Sequence, residues 1–134
     1  MNYWLMKTEP GTYSWDDLVR DKKTHWDGVR NYQARNNMKE MKVGDMALYY
    51  HSVKEKCVVG IVKIVKEYYQ DPTTTDPNWV VVDIAPIEPL KNPVTLAQIK
   101  GDDRLAQMVL VKNSRLSVQP VKKEEFDMVI AMGQ

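Results

Sequence analysis

MALYYHSVKEKCVVGIVKIVK, residues 46 to 66, carries two runs dense in β-branched and aromatic side chains, MALYYHS (46–52) and CVVGIVKIVK (57–66), on either side of the polar turn Val53-Lys54-Glu55-Lys56. Such side chains suit a pleated, half-buried surface, so the stretch predicts a β-hairpin. Further strands flank it. Upstream, YWLMK (3–7) alternates bulky groups and stops at Glu9-Pro10-Gly11, a strand followed by a turn. Downstream, WVVVDIAP (79–86) predicts another strand with room to continue past Pro86 to Leu90. RLSVQPV (115–121) predicts the last, short or at an edge because Pro120 has no N–H for a ladder.

Short helical pieces lie between these strands. Ser14 can cap the amides of a helix through Val19, with Asp17 at the acidic position of a capping box. Gln33 to Met41 sets Ala34, Met38 and Met41 at helical spacing before a turn at Gly44-Asp45. Thr95 can cap a helix through Ile99, Arg104 to Val111 groups Leu105, Met108 and Val109, and Glu124 to Met132 stripes Phe126, Val129 and Ile130 as a docking terminal helix does. Asp71 to Asn78, with two prolines and no apolar residue, reads as an exposed connection. About five strands among short helices, without regular strand-helix alternation, favour an α+β fold: a mixed, mostly antiparallel sheet closed or nearly closed into a β-barrel, with short peripheral helices.

A chain of 134 residues fits one domain, which can bury a continuous core without disulfides or a metal. The formal net charge of +1 provides no global field toward DNA or an anionic membrane, so any nucleic-acid site must be local. Cys57, the single cysteine, lies in an apolar run and reads as a buried thiol, in keeping with a reducing compartment. The start, MNYWLMKTEP, lacks an apolar signal core, and no window has the length of a spanning helix. The expectation is a soluble intracellular protein, cytoplasmic, or nuclear in a eukaryote.

The second informative stretch is WDGVRNYQARN, residues 26 to 36, which gathers Trp, Tyr, two Arg, two Asn and a Gln with almost no aliphatic content. Aromatic faces stack on bases, Arg forks grip phosphates and amides read base edges. The composition therefore suits a planar polar ligand better than a core. MKTEP near the start, WDGVRNYQARN, MKVGD followed by ALYYHS, and RLSVQPV near the end together resemble the EVE domain, a member of the PUA-like superfamily and a relative of the YTH reader domain. The resemblance spans nearly the whole chain; Thr8 stands where the family commonly has serine in KSEP, and a hydroxyl is kept. It implies a compact PUA-like β-barrel with a pocket for a single modified nucleobase, a modified cytosine or adenine, in DNA or RNA. It implies a module whose partner is nucleic acid carrying that base; His25 and His51, the two histidines, form no apparent ligand set and no catalytic motif is present, so a non-catalytic protein with neither metal nor cofactor is expected.

A flipped base needs stacking surface, polar partners for its edge and a cationic rim. Trp26 is the first stacking candidate and Tyr32 the second; alone, Trp26 would read as a core anchor whose indole N–H finds a carbonyl. Asn31 and Gln33 match a Watson–Crick edge, although either can instead cap the helix that begins near Gln33. Arg30 and Arg35 would hold phosphate or carbonyl oxygens, against surface pairing with Asp27 or Glu40. Lys7 and Thr8, ending one strand, and Tyr50, His51 and Ser52, ending another, can meet at one barrel mouth. Arg115, Ser117 and Gln119 alternate on the last strand and would form a second wall. An enzyme acting on a modified base or nucleotide is the weaker reading, since Glu9, Asp45, Glu67 and His51 form no paired or nucleophile spacing. A protein-interaction adaptor requires Trp15 and Trp79 to be exposed together.

Overall fold

The computed structural model describes residues 1–53, 55–113 and 115–134. In chain order these form β1 (Tyr3–Thr8), α1 (Trp15–Asp21), β2 (Thr24–His25), α2 (Tyr32–Glu40), β3 (Met46–His51), β4 (Cys57–Gln70) and β5 (Val80–Thr95). There follow α3 (Leu96–Lys100), a 3-10 turn (Asp103–Leu105), α4 (Val109–Lys112), β6 (Val118–Val121) and α5 (Lys123–Met132). The strands form one sheet in the order β2-β5-β4-β3-β1-β6, antiparallel at every pairing except β1 with β3. The α+β, mostly antiparallel architecture with short flanking helices is as expected, with six strands rather than five. The sheet is not closed: β2 and β6 stand at its edges, and no pairing among the described residues joins them.

β4 and β5 dominate the sheet, and β5 runs well past Pro86 to Thr95. Prolines 86 and 89 oppose Val62 and Gly60, and the register shifts at both places. A residue without an N–H is accommodated where the ladder is already bulged, and each bulge adds bend and twist. The long pair thereby curves enough to cover a core on each face. Strand alternation sends Trp4, Met6, Ala47, Tyr49, Val62, Ile64, Val82 and Ile84 to one face, where α1 and α2 add Trp15, Leu18, Ala34 and Met38. Leu5, Leu48, Tyr50, Val58, Ile61 and Val94 go to the other, under Ile99, Leu110, Phe126 and Val129 from α3, α4 and α5.

Local signals set the helix ends. Ser14 and Asp17 form the expected capping box on α1, and Thr95 with Gln98 forms one on α3. Asp45, buried beside Gly44 (φ +96°), accepts from the Asn2 and Lys42 amides and from the Trp4 indole N–H, at 3.0–3.1 Å. That carboxylate ties the start of β1 to the start of β3.

The parallel pairing fixes where a site can form. β1 and β3 run the same way, with Lys7 beside Tyr50 and Thr8 beside His51, so their C-terminal ends finish together. The Ser52 amide donates to the Thr8 carbonyl (2.8 Å), and the Lys7 amide donates to the Ser117 carbonyl (2.9 Å), which brings the residue before β6 to the same corner.

Trp15 is wedged against Gly60: a Cβ there would come within 2.5–2.8 Å of three ring atoms. Gly60→Ala should therefore cost about 1–3 kcal/mol by overpacking, read as a lower urea midpoint, whereas Gly11→Ala, with open space around it, should stay within about 0.5 kcal/mol. Equal stability of the two variants would contradict this packing.

Candidate functional site

The stretch from Trp26 to Asn31 is an irregular loop between β2 and α2, fastened at both ends. The Trp26 amide donates to the Val82 carbonyl (2.8 Å), continuing the edge pairing of β2 by one residue. Its ring is 8% exposed and meets Tyr49 edge-on at 5.6 Å, and Tyr49 is also flanked by Trp15 at 5.7 Å and His51 at 6.1 Å. Gly28 then turns the chain at φ +77°, a conformation that favours glycine.

Asp71 holds this turn in place. One carboxylate oxygen accepts from the Gly28 amide (3.2 Å) and the Arg30 guanidinium (3.1 Å). The other accepts from the Thr73 amide (2.7 Å) and hydroxyl (2.6 Å). The side chain has no solvent exposure. Burial alone would raise its pKa, but the Thr73 bonds, then Arg30 and Gly28, outweigh burial and hold the carboxyl down at about 2.

Two clefts open on either side of the β1 terminus. The first, of 480 Å³, lies between Lys7-Thr8-Glu9, Thr12-Tyr13 and the loop from Thr24 to Arg30, with Ser117 at its edge. Trp26 and Val29 supply apolar surface; Lys7 and Arg30 supply positive charge; Glu9 and Asp27 supply carboxylates. His25 Nε2 stands 3.5 Å from the Asp27 carboxylate. Burial lowers the Lys7 pKa, because its ammonium has lost part of its hydration. The Thr8 hydroxyl donates to the Tyr13 carbonyl (2.8 Å) and the Tyr49 hydroxyl to the same oxygen (3.3 Å), pinning the Tyr13 wall. The second cleft, of 460 Å³, shares Lys7, Thr8, Glu9 and Ser117 and continues past Tyr50, Ser52 and Lys56 to Leu96, Leu110 and Arg115.

Of the residues expected at a site, Lys7, Thr8, Trp26, Arg30 and Ser117 line the first cleft, and Lys7, Thr8, Tyr50, Ser52, Arg115 and Ser117 the second. Six others line neither. Asn31 is the N-cap of α2, its amide oxygen accepting from the Ala34 amide (2.9 Å). Tyr32, 59% exposed, lies against Trp79 (5.0 Å) and under the Arg35 guanidinium (4.9 Å), whose N–H groups donate to Asn36 and to the Asn78 carbonyl. Gln33 is exposed on α2. His51 is buried, and its Nε2 accepts from the Trp15 amide (3.1 Å), so the ring secures α1 to β3. The alternation of Arg115, Ser117 and Gln119 does not form one wall. The strand begins only at Val118, and Gln119 is fully buried, its amide donating to the Leu116 carbonyl (2.7 Å).

Sequence reasoning missed Thr12, Tyr13, Thr24, His25 and Val29 in the first cleft, and Asp71 behind it. Only Asp71 had a readable signal: Asp-Pro-Thr is an Asx-turn pattern, in which the carboxylate caps the amide two residues on. Trp15 is buried and Trp79 half-buried, so the two form no joint exposed patch. Among the described residues no three His, Cys, Asp or Glu side chains gather as a metal site would, and no helix is long and apolar enough to cross a membrane.

The EVE domain model matches residues 2–132, and the chain belongs to that family. Thymocyte nuclear protein 1 of Homo sapiens is 38% identical over 167 residues, covering 99% of this chain and 74% of that protein. An NMR structure of a Rhodopseudomonas palustris protein superposes with a TM-score of 0.95 at 50% identity, covering 99% of this chain and 93% of the other. The crystal structure of human THYN1 protein in complex with 5-methylcytosine-containing DNA superposes with a TM-score of 0.92 at 37% identity, covering 100% and 98% of the two chains.

The Asp71 anchor makes stability depend on pH with a defined sign. Its folded pKa of about 2 lies below the ordinary 3.8, so its contribution is complete above the ordinary value and disappears as pH falls from there through about 2. The amount is on the order of 2 kcal/mol. Asp71→Asn should be less stable than the unaltered protein at pH 6, with the gap narrowing toward pH 2 in urea titrations. A gap independent of pH would refute the ionised anchor.

Proposed function

We propose that this member of the EVE family is a non-catalytic module that takes a modified base, 5-methylcytosine in DNA, into the first cleft. The observation that carries the reading is the mixture of groups around Trp26: apolar surface, hydroxyls, carboxylates and cations around 480 Å³, within the size range of small-ligand pockets. The human relative in complex with 5-methylcytosine-containing DNA supports this choice of ligand class.

Cytosine offers an exocyclic amino group as donor and ring acceptors beside it. Asp27 or Glu9 can accept from the amino group, while Lys7 and the Thr12 and Thr24 hydroxyls can donate to the acceptors. Val29 and Trp26 provide apolar contact for the C5 methyl. Burying one methyl contributes about 0.8 kcal/mol, roughly fourfold in affinity. The methyl thus modulates binding, while the polar edge decides which base enters. Extracting a base from a duplex costs a few kcal/mol, and a chain of net charge +1 must meet that cost through local contacts.

The enzymatic reading needs Glu9 or His51 as a base in reach of an attacking group. Glu9 lines both clefts, but His51 lies outside them with Nε2 committed to the Trp15 amide, so the two are not brought together and the binding module is favoured.

Calorimetric titration with matched duplexes should show roughly fourfold or tighter binding of the 5-methylcytosine form. Val29→Thr, which keeps the side-chain shape and replaces a methyl by a hydroxyl, should bring the two affinities together. Indistinguishable affinities in the unaltered protein would overturn the proposal.

A further inference from the structure

The second cleft lies across the Lys7-Thr8-Glu9 ridge from the first and is not used by the base. Lys7, Lys56 and Arg115 surround it, and Glu9 is the one carboxylate among its described lining residues. Leu96 adds apolar surface, and Leu110, which also lines the cleft, is nearly buried. Its charge balance and its shared wall with the first cleft both favour the polyanionic strand from which the base comes.

The rim is formed in part by the β3–β4 hairpin turn. Val53 (φ +77°) and Lys56 (φ +41°) both occupy the left-handed region in the β3–β4 turn, a conformation that non-glycine residues, β-branched ones above all, rarely adopt. The Lys56 carbonyl accepts from the Leu96 amide (2.9 Å), so Lys56 is tied to the start of α3. Strain of this kind persists where surrounding structure enforces it, and it gathers at functional sites.

We propose that the second cleft seats the nucleotide adjacent to the extracted one, its phosphate on Lys56 and Arg115 and its sugar against Leu96. The assignment rests on the base-binding reading for its register, while the strand contact has its own readout. Phosphate contacts release counterions and add to the salt dependence of binding, whereas a free nucleoside has no such contact to lose.

The test compares the unaltered protein with Lys56→Gln/Arg115→Gln and with Arg115→Gln alone, using a short duplex carrying one 5-methylcytosine, its unmodified counterpart, and 5-methyl-2′-deoxycytidine. Both side chains are exposed, and thermal melting checks that each variant folds. The double variant should bind both duplexes about tenfold more weakly or worse, with a slope of log affinity against log salt shallower by about 2, and the single variant by about 1. Affinity for the nucleoside and the ratio between the duplexes should not change. Unchanged duplex affinity and slope in the double variant would overturn the inference and leave the base reading intact. No preference for the modified duplex in any protein, with the slope still reduced in the variants, would overturn the base reading and support the strand contact.

Discussion

The carboxylate of Asp71 is the interaction on which the arrangement of the site depends. Removed from water, it is stabilised as an anion by four donors, and two of these, the Gly28 amide and the Arg30 guanidinium, belong to the loop that walls the first cleft. The loop has only two residues of strand before it and a helix after it. Trp26 is fixed by its backbone bond to Val82 and by Tyr49, Val29 by burial in the core, and Gly28 and Arg30 by Asp71. A loop already held in one geometry loses less entropy on binding a ligand than a mobile one.

The second constraint is topological. A single parallel pair within an otherwise antiparallel sheet brings the ends of β1 and β3 to one corner, and the antiparallel β6 starts beside them. Lys7, Thr8, Ser52 and Ser117, distant in sequence, become neighbours around a ridge with a cleft on each side. Side chains at strand ends are freed from the alternation that buries their predecessors. Tyr49 illustrates the converse: fully buried between Trp15, Trp26 and His51, it forms part of the support beneath the first cleft. Burial raises the pKa of its hydroxyl well above the ordinary tyrosine range, so the group stays protonated and able to donate to the Tyr13 carbonyl.

Features encoded locally were legible in the sequence. The β3–β4 hairpin and the caps at Ser14 and Thr95 follow from neighbouring residues, and the structure contains them. Features that depend on distant partners were not. β5 outruns even Leu90, reaching Thr95, and bulges in β4 accommodate its prolines 86 and 89, which local rules treat as strand ends. The alternation of Arg115, Ser117 and Gln119 looked like one strand face, but the ladder begins after Ser117 and sets Gln119 opposite Leu5, in the core. Asn31 could cap or recognise, and the structure has it capping α2. The loop partners of Asp71, Arg30 and Gly28, lie 41 and 43 residues away, a distance at which spacing carries no signal. The polar stretch from Trp26 to Asn36 therefore divides: its first half walls a cleft, and its second half builds a helix with an aromatic and cationic surface beside it.

The claim that the Asp71-held loop forms a preshaped base site is tested most directly by amide chemical-shift mapping with 5-methyl-2′-deoxycytidine. The account predicts that the largest changes fall on Trp26 to Arg30 and on Thr12 and Tyr13, with α2 nearly silent. Changes centred on Tyr32, Gln33 and Arg35, with the loop from Trp26 to Arg30 unaffected, would contradict it.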